Sequence, residues 1–437
     1  MRRHLWVSAM TLALLAAAAA RSHADDVLPD YELSRIPVKD RPHPEFDPVG
    51  IRYDSIFFYP KLVTGLRFDS NVLAANTSPR ADAALVFSPE LTVRSEPYGS
   101  GPVRSGPFVY GYDPNPQRFS YEFNIGADIY RFRNVTTENR EDAHARLVTH
   151  LEISHDLLFD ATFDAARKHI DRGDSGSPID AKNPVPYTDL KGELALTKQF
   201  NRFGTTLDVT ARRLTYEDVD SVSGPVIDQS WRNGNIFTGS VKPFYEFSPG
   251  YRAFVLLQAN TRNYEGTGDL NRDSHGYTIQ GGVDFVVDPL FYGSIGVGYL
   301  SQNYDNPAIS PINGLSFSGK ATWLVTKLMT ATFSAERAVA ETTTPGFNGE
   351  LRTSFGARLD YEFLRNLIFY VEPKYIDEDF PDTTRHDKVG KVSAGFDYLM
   401  NRRMKVGLKY DFIDRKSTIP DFTYNEHVVT LNVTTQY

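Results

Sequence analysis

The stretch "LRTSFGARLDYEF", residues 351–363, keeps a strict period of two. Leu351, Thr353, Phe355, Ala357, Leu359, Tyr361 and Phe363 fall on one side. Arg352, Ser354, Gly356, Arg358, Asp360 and Glu362 fall on the other. A strand reverses its side-chain direction at every residue, so this stretch makes one apolar face and one wet face.

The pattern recurs on both sides of it. "FSYEFNIGADI" (119–129) sets Phe119, Tyr121, Phe123, Ile125, Ala127 and Ile129 against Ser120, Glu122, Asn124, Gly126 and Asp128. "YTIQGGVDFVV" (277–287) sets Tyr277, Ile279, Val283, Phe285 and Val287 against Thr278, Gln280 and Asp284. "MKVGLKYDF" (404–412) sets Met404, Val406, Leu408, Tyr410 and Phe412 against Lys405, Lys409 and Asp411. The chain finishes on "VTLNVTTQY" (429–437), with Val429, Leu431 and Val433 alternating with Thr430, Asn432 and Thr434 before Tyr437.

Turn signals give a second rhythm. Short breaks fall at 154–157, 200–204, 247–250, 288–290, 326–328, 364–366 and 400–403, each joining two long runs as a tight hairpin does. Between these hairpins lie longer polar stretches such as 170–186, 264–274 and 377–387. The reading is about 18 strands (16–18): 55–71, 81–96, 117–133, 141–154, 158–170, 187–200, 203–216, 232–247, 251–264, 275–287, 291–304, 313–325, 328–341, 349–363, 367–376, 388–399, 403–414 and 425–437.

Strands of a soluble sandwich alternate too, but usually run about 5–6 residues. These are twice that, which suits a membrane-crossing strand of roughly 9–11 residues plus its ends. Their wet faces carry rows of charge, and no helical segments exist to cover them. A closed barrel satisfies both faces and leaves no unpaired edge in lipid. The fold class is therefore all-β, a transmembrane antiparallel β-barrel with short periplasmic turns and longer extracellular loops. Aromatics are 13% of the chain and gather near strand ends, as interfacial belts do. Phe200, Phe203, Phe247, Tyr251, Phe291, Tyr361, Phe369 and Tyr398 stand near the short turns, and Tyr216, Tyr264, Tyr304 and Tyr375 near the long loops.

The N-terminus has the layout of a secretory signal peptide. Two arginines precede an apolar stretch from Leu5 to Ala20, and Ser22-His23-Ala24 offers a small-x-small site. Residues 1–24 are read as that peptide, 25–54 as a Pro-rich periplasmic segment and 55–437 as the barrel. Five prolines in 25–54 make an extended tether the default, with a docking strip for a periplasmic partner or a segment entering the lumen as alternatives. The chain has no cysteine, which excludes disulfides and thiol chemistry. A formal charge of −8 without basic runs argues against a nucleic-acid partner.

The ten histidines are scattered, without paired metal-ligand spacing, and no catalytic motif is present. Neither cofactor nor metal is expected. The acidic groups Asp171, Asp174, Asp180 and Asp377, Glu378, Asp379, Asp382 lack calcium-loop spacing and read as solvated loop charge. The candidate site is the lumen, lined by Glu122, Asp128, Asp208, Arg212, Arg252, Asp284, Arg352, Arg358, Asp360, Glu362, Lys374, Lys391, Lys405 and Lys409. Val429, Leu431, Val433 and the terminal aromatic Tyr437 form a candidate signal for the barrel-insertion machinery. Outer-membrane lipid and lipopolysaccharide are the expected surroundings.

Arg41-Pro42-His43-Pro44-Glu45-Phe46-Asp47-Pro48-Val49-Gly50-Ile51-Arg52, followed by Pro60, Gly65 and "FDSNVLA" (68–74), resembles the motif that opens an outer-membrane β-barrel porin family of alphaproteobacteria. That resemblance runs to Tyr437. It implies a porin-like channel for polar solutes, without catalysis. Some members resemble the barrel partners of polysaccharide export, which implies the alternative of a secretion barrel acting with a periplasmic export protein. A surface receptor using the 170–186 and 217–231 loops is a third reading. The segment 98–116 departs from the pattern, being long and Gly/Pro-rich where a short turn is due.

Overall fold

The computed structural model describes residues 36–97, 118–340, 349–381 and 383–437. Residues 1–24, read above as a signal peptide, the 98–116 connection and Asp382 lie outside them. A short strand β1 (Ile51–Tyr53) leads into β2 (Ile56–Asp69), β3 (Asp82–Arg94), β4 (Phe119–Phe132), β5 (Arg140–Ser154), β6 (Leu157–His169), β7 (Pro186–Phe200), β8 (Phe203–Tyr216), β9 (Gly234–Ser248) and β10 (Tyr251–Tyr264). The second half comprises β11 (Ser274–Asp288), β12 (Phe291–Tyr304), β13 (Ile312–Thr326), β14 (Met329–Ala340), β15 (Glu350–Leu364), β16 (Leu367–Asp379), β17 (His386–Asn401), β18 (Met404–Ser417) and β19 (Tyr424–Gln436).

Each strand pairs antiparallel with the next, and β19 returns to β2 in register from Val428↔Asp69 to Gln436↔Lys61. Strands β2–β19 therefore form a closed ring of 18, and every strand expected from the alternation is present. All seven short turns are found as two-residue connections, the first joining Ser154 to Leu157 and the last Asn401 to Met404. Their chemistry is local. Asp288 Oδ1 accepts from the backbone N–H groups of Leu290 and Phe291, both at 2.8 Å, and Asn401 Oδ1 from that of Arg403 at 2.8 Å. The register slips beside each of these two turns, absorbing an extra residue as a bulge. The β9–β10 turn instead uses Gly250 at φ 79°, where a Cβ would lie 2.8 Å from Val286 O.

Burial is inverted relative to a water-soluble protein. Phe203 is 64% exposed and Phe363 53%, whereas Asp360 is 1% exposed and Glu362 2%. Leu85, Val209, Ile295 and Val297 are likewise exposed, and Gln280 and Asp284 buried. The apolar set looks outward to hydrocarbon and the charged set inward. In β19, Val429 and Leu431 are exposed while Thr434 is buried. Tyr437 is tied to the start of the ring: its N–H donates to Pro60 O at 3.2 Å, and Arg403 stands 5.5 Å over its ring.

One expectation is corrected. Phe200, Phe203, Phe247, Phe369, Tyr375 and Tyr398 are outward and exposed, as a belt requires. Tyr216, Tyr264 and Tyr304 instead share the register face of the inward residues Arg212, Arg252 and Ser294. They stand at the extracellular strand ends, and strand parity, not nearness to an end, decides which face an aromatic takes: Tyr375 at the same end is outward and 41% exposed.

Leu431 and Thr430 are adjacent on opposite faces. Leu431→Arg should cost about 2–4 kcal/mol of barrel stability if the residue lies near the bilayer midplane, and Thr430→Arg far less. Denaturant titration of the two variants in lipid vesicles, read by heat-modifiable gel migration, checks this. Equal costs would overturn the assigned faces.

Candidate functional site

The inward face carries the charge, with apolar side chains such as Phe244, Phe254 and Leu300 set among it, and cross-strand pairing neutralises much of that charge. Arg358 on β15 reaches Asp360 at 2.8 Å and Glu372 on β16 at 2.9 Å. Arg212 on β8 forks onto Asp189 on β7 with two contacts of 2.8 Å. Asp284 on β11 accepts from Lys242 at 3.0 Å, Glu122 on β4 faces Arg94 at 3.1 Å, and Arg252 on β10 faces Glu246 at 3.7 Å. Arg352 bridges Glu350 at 2.6 Å and Glu378 at 3.0 Å, Lys409 on β18 meets Asp411 at 3.0 Å, and Asp128 accepts from Ser88 Oγ at 2.6 Å. Lys374 on β16, Lys391 on β17 and Lys405 on β18 share this face but make no ion pair among the described residues. Asp208 lies at mid-strand on β8, nine strands round the ring from β17.

Two segments enter the ring and narrow it. The first is the loop 170–185 after β6, where alternation predicts only solvated charge. Ser175, Gly176 and Ser177 are buried. Ser175 Oγ donates to Glu350 Oε2 at 3.1 Å, and Arg385 donates to Ser175 O at 3.3 Å. Tyr424 OH donates to Gly173 O at 3.3 Å. Glu350 belongs to β15, nine strands from β6 in a ring of 18, so the loop crosses the lumen from wall to wall. Charged clamps hold both ends. Arg172 forks onto Glu138, which is 1% exposed, at 2.7 Å and also donates to Ala181 O at 2.6 Å. Arg385 is stacked against Phe380 and Phe422 and bonds Asp387 at 2.6 Å.

The second segment is 36–50. Its prolines favour an extended tether, yet it runs inside the ring along the periplasmic rim. Gln436 on β19 donates to Phe46 O at 3.4 Å and Arg402 to Pro44 O at 2.9 Å. Arg41 meets Glu362 on β15 at 2.5 Å, and the Val38 N–H donates to Thr330 Oγ1 on β14 at 3.0 Å. Val38, Arg41, Pro42 and His43 are all buried. Burial holds the His43 imidazole below its ordinary pKa despite the pull of Glu362, 3.8 Å away. His43 is thus neutral near pH 7, and Arg41 is the strap's cation in this contact.

These two segments frame the remaining space. A polar chamber of about 400 Å³ lies under the crossing loop, lined by Arg67, Asp69, Arg140, Lys391, Asp411 and Glu426 among others. A second, of about 440 Å³, lies between the strap and the walls carrying Lys61, Glu90, Glu122, Asp397 and Lys405. Among the described residues no group of three metal-ligating side chains is present.

A closed 18-stranded ring, greasy outside and charged within, defines an outer-membrane channel barrel. The chain belongs to the family described as "Putative beta-barrel porin 2", whose sequence profile matches residues 115–437. Structures with which it shares a likeness include the outer membrane protein OpdK of Pseudomonas aeruginosa, 10% identical over 87% of this chain and 99% of that one, with a TM-score of 0.44. Acinetobacter baumannii OccAB4 is 10% identical over 91% and 100%, also with a TM-score of 0.44. Likeness of this degree carries no information on the solute. No curated protein matches the chain in sequence.

The residues that build the narrowings escaped the alternation. Arg41 lies in a Pro-rich stretch that reads as linker, ahead of the residues 115–437 that the family profile matches. Ser175 meets Glu350, and Arg172 meets Glu138, only through contacts between separate segments, 175 positions apart for Ser175 and Glu350. Arg172→Ala would leave Glu138 buried without its cation, at a cost of about 3–5 kcal/mol. The crossing loop should then become protease-sensitive on intact cells, and single-channel conductance should rise. Unchanged cleavage and conductance would mean that the clamp does not hold the loop.

Proposed function

We propose that this protein is a narrowed outer-membrane channel through which small polar solutes, zwitterions included, cross passively without being chemically altered. The observation that carries this reading is the chamber beneath the 170–185 loop, whose lining mixes Arg67, Arg140 and Lys391 with Asp69, Asp411 and Glu426. A solute bearing both charges, or many hydroxyls, exchanges water for these groups at little loss, whereas an apolar one cannot. The lysines of β16–β18 and Asp208 on the opposite side of the ring would orient a dipolar solute on its way through. The fourteen charged residues read as lining contribute by this field rather than as one binding cluster.

On this reading the protein is exported by a signal peptide cleaved near Ala24, and Val429, Leu431, Val433 and Tyr437 present the edge recognised by the insertion machinery. Lipopolysaccharide surrounds the outer rim. The comparisons give no support to polysaccharide export, and a lumen crossed by a clamped loop suits small solutes better than a polymer.

Purified protein in planar bilayers should conduct, and liposomes carrying it should swell faster in zwitterionic amino acids than in apolar solutes of equal mass. Lys391→Glu combined with Lys405→Glu should move the reversal potential in a KCl gradient toward cation preference. A barrel that folds but neither conducts nor passes solute would refute the reading.

A further inference from the structure

The segment 36–48 occupies lumen volume without belonging to the barrel. Ring closure depends on β19 pairing with β2, and the strap adds no ladder bond to it. Its anchors are of another kind: the Arg41–Glu362 ion pair, the Val38 N–H on Thr330 Oγ1, and the Arg402 and Gln436 side chains on its carbonyls. All are buried or partly buried contacts on the lumen wall and none is a rung of the barrel ladder, so losing them would leave the ring paired. Val38, fully buried, is its apolar peg.

The strap meets the barrel through a defined pivot. Gly50 has φ 73°, and a Cβ there would lie 2.4 Å from the Tyr59 ring, so the chain turns where only glycine fits. Asp54, also at positive φ, closes the short β1–β2 hairpin that follows. Prolines 37, 42, 44 and 48 break the segment into one 3-10 turn at Val38–Asp40 and a tight turn at 43–47, and remove donors that a strand ladder would need. A compact segment outside the ladder, turned at Gly50 and held by Arg41 on Glu362, is an element whose displacement would leave the ring intact.

We propose that residues 36–48 are a displaceable gate at the periplasmic outlet, hinged at Gly50 and latched by Arg41 on Glu362. The proposal rests on the channel reading and adds its regulation. With the latch closed the outlet is the space between strap and β2–β4 wall; with it open the outlet gains the volume of the strap itself.

The native chain has no cysteine, so a Val38→Cys/Thr330→Cys pair can tie the strap down specifically. In planar bilayers the oxidised protein should stay at its low conductance level and rise several-fold on adding reductant. Arg41→Glu should reach the higher level without reductant, and the exchange Arg41→Glu/Glu362→Arg should return it to the parent level. Equal conductance of oxidised and reduced protein, with Arg41→Glu unchanged, overturns the gate while leaving a conducting channel. Should the cysteine pair fail to insert, the charge variants decide alone: no rise in Arg41→Glu sinks the proposal. Silence of every folded variant, Arg41→Glu included, refutes the channel and the gate with it.

Discussion

The whole architecture hangs on one hydrogen-bonding constraint: backbone N–H and C=O groups in hydrocarbon find no water, so every strand edge must be paired. The pairing of β19 with β2 discharges that requirement for the last free edges. Once the ring is shut by its own ladder, nothing inside it needs to contribute to closure. The loop after β6 and the segment before β1 are therefore free to be held by whatever polar contacts function demands.

The two faces obey opposite rules because they meet different solvents. Outward, an exposed Phe363 or Ile295 is the stable choice, since lipid is its partner. Inward, a charge must be hydrated or paired, and the short distance between neighbouring strands makes pairing easy. Arg358 between Asp360 and Glu372 shows how a cation on one strand serves carboxylates on two. Such partly buried pairs fix side-chain positions more than they add stability, which suits a lining whose task is to hold a pattern of charge.

The strands were legible because two independent signals agreed, the period of two and the spacing of the turns, and each boundary is found within a few residues. The inward placement of Lys391 or Asp284 follows from the same parity. What alternation could not show is anything that happens past the hydrocarbon. At the rim, Tyr216, Tyr264 and Tyr304 face inward by the parity of their own strands, which a count of aromatics near strand ends ignores. The crossing loop looked like solvated charge because Asp171 and Asp174 are polar, whereas its path is set by Arg172 finding Glu138 and Ser175 finding Glu350. Local sequence contains no record of those meetings. Proline content likewise pointed to an extended tether for 36–50, whereas the segment makes a 3-10 turn at Val38–Asp40 and a tight turn at 43–47, and composition does not say on which side of a wall a segment lies.

Stability is consequently graded across the molecule. The ring is a continuous ladder whose opening would expose backbone to lipid, and it gives way only as a whole. The loop and the strap lie outside that ladder and rest on a handful of buried or partly buried polar contacts each, so either can be released without opening the ring. A channel built this way can alter its bore without altering its wall. Under the proposed gate, control of the bore falls to these two segments, and Arg41 and Arg172, each holding a buried carboxylate on a distant segment, are the contacts that would carry it.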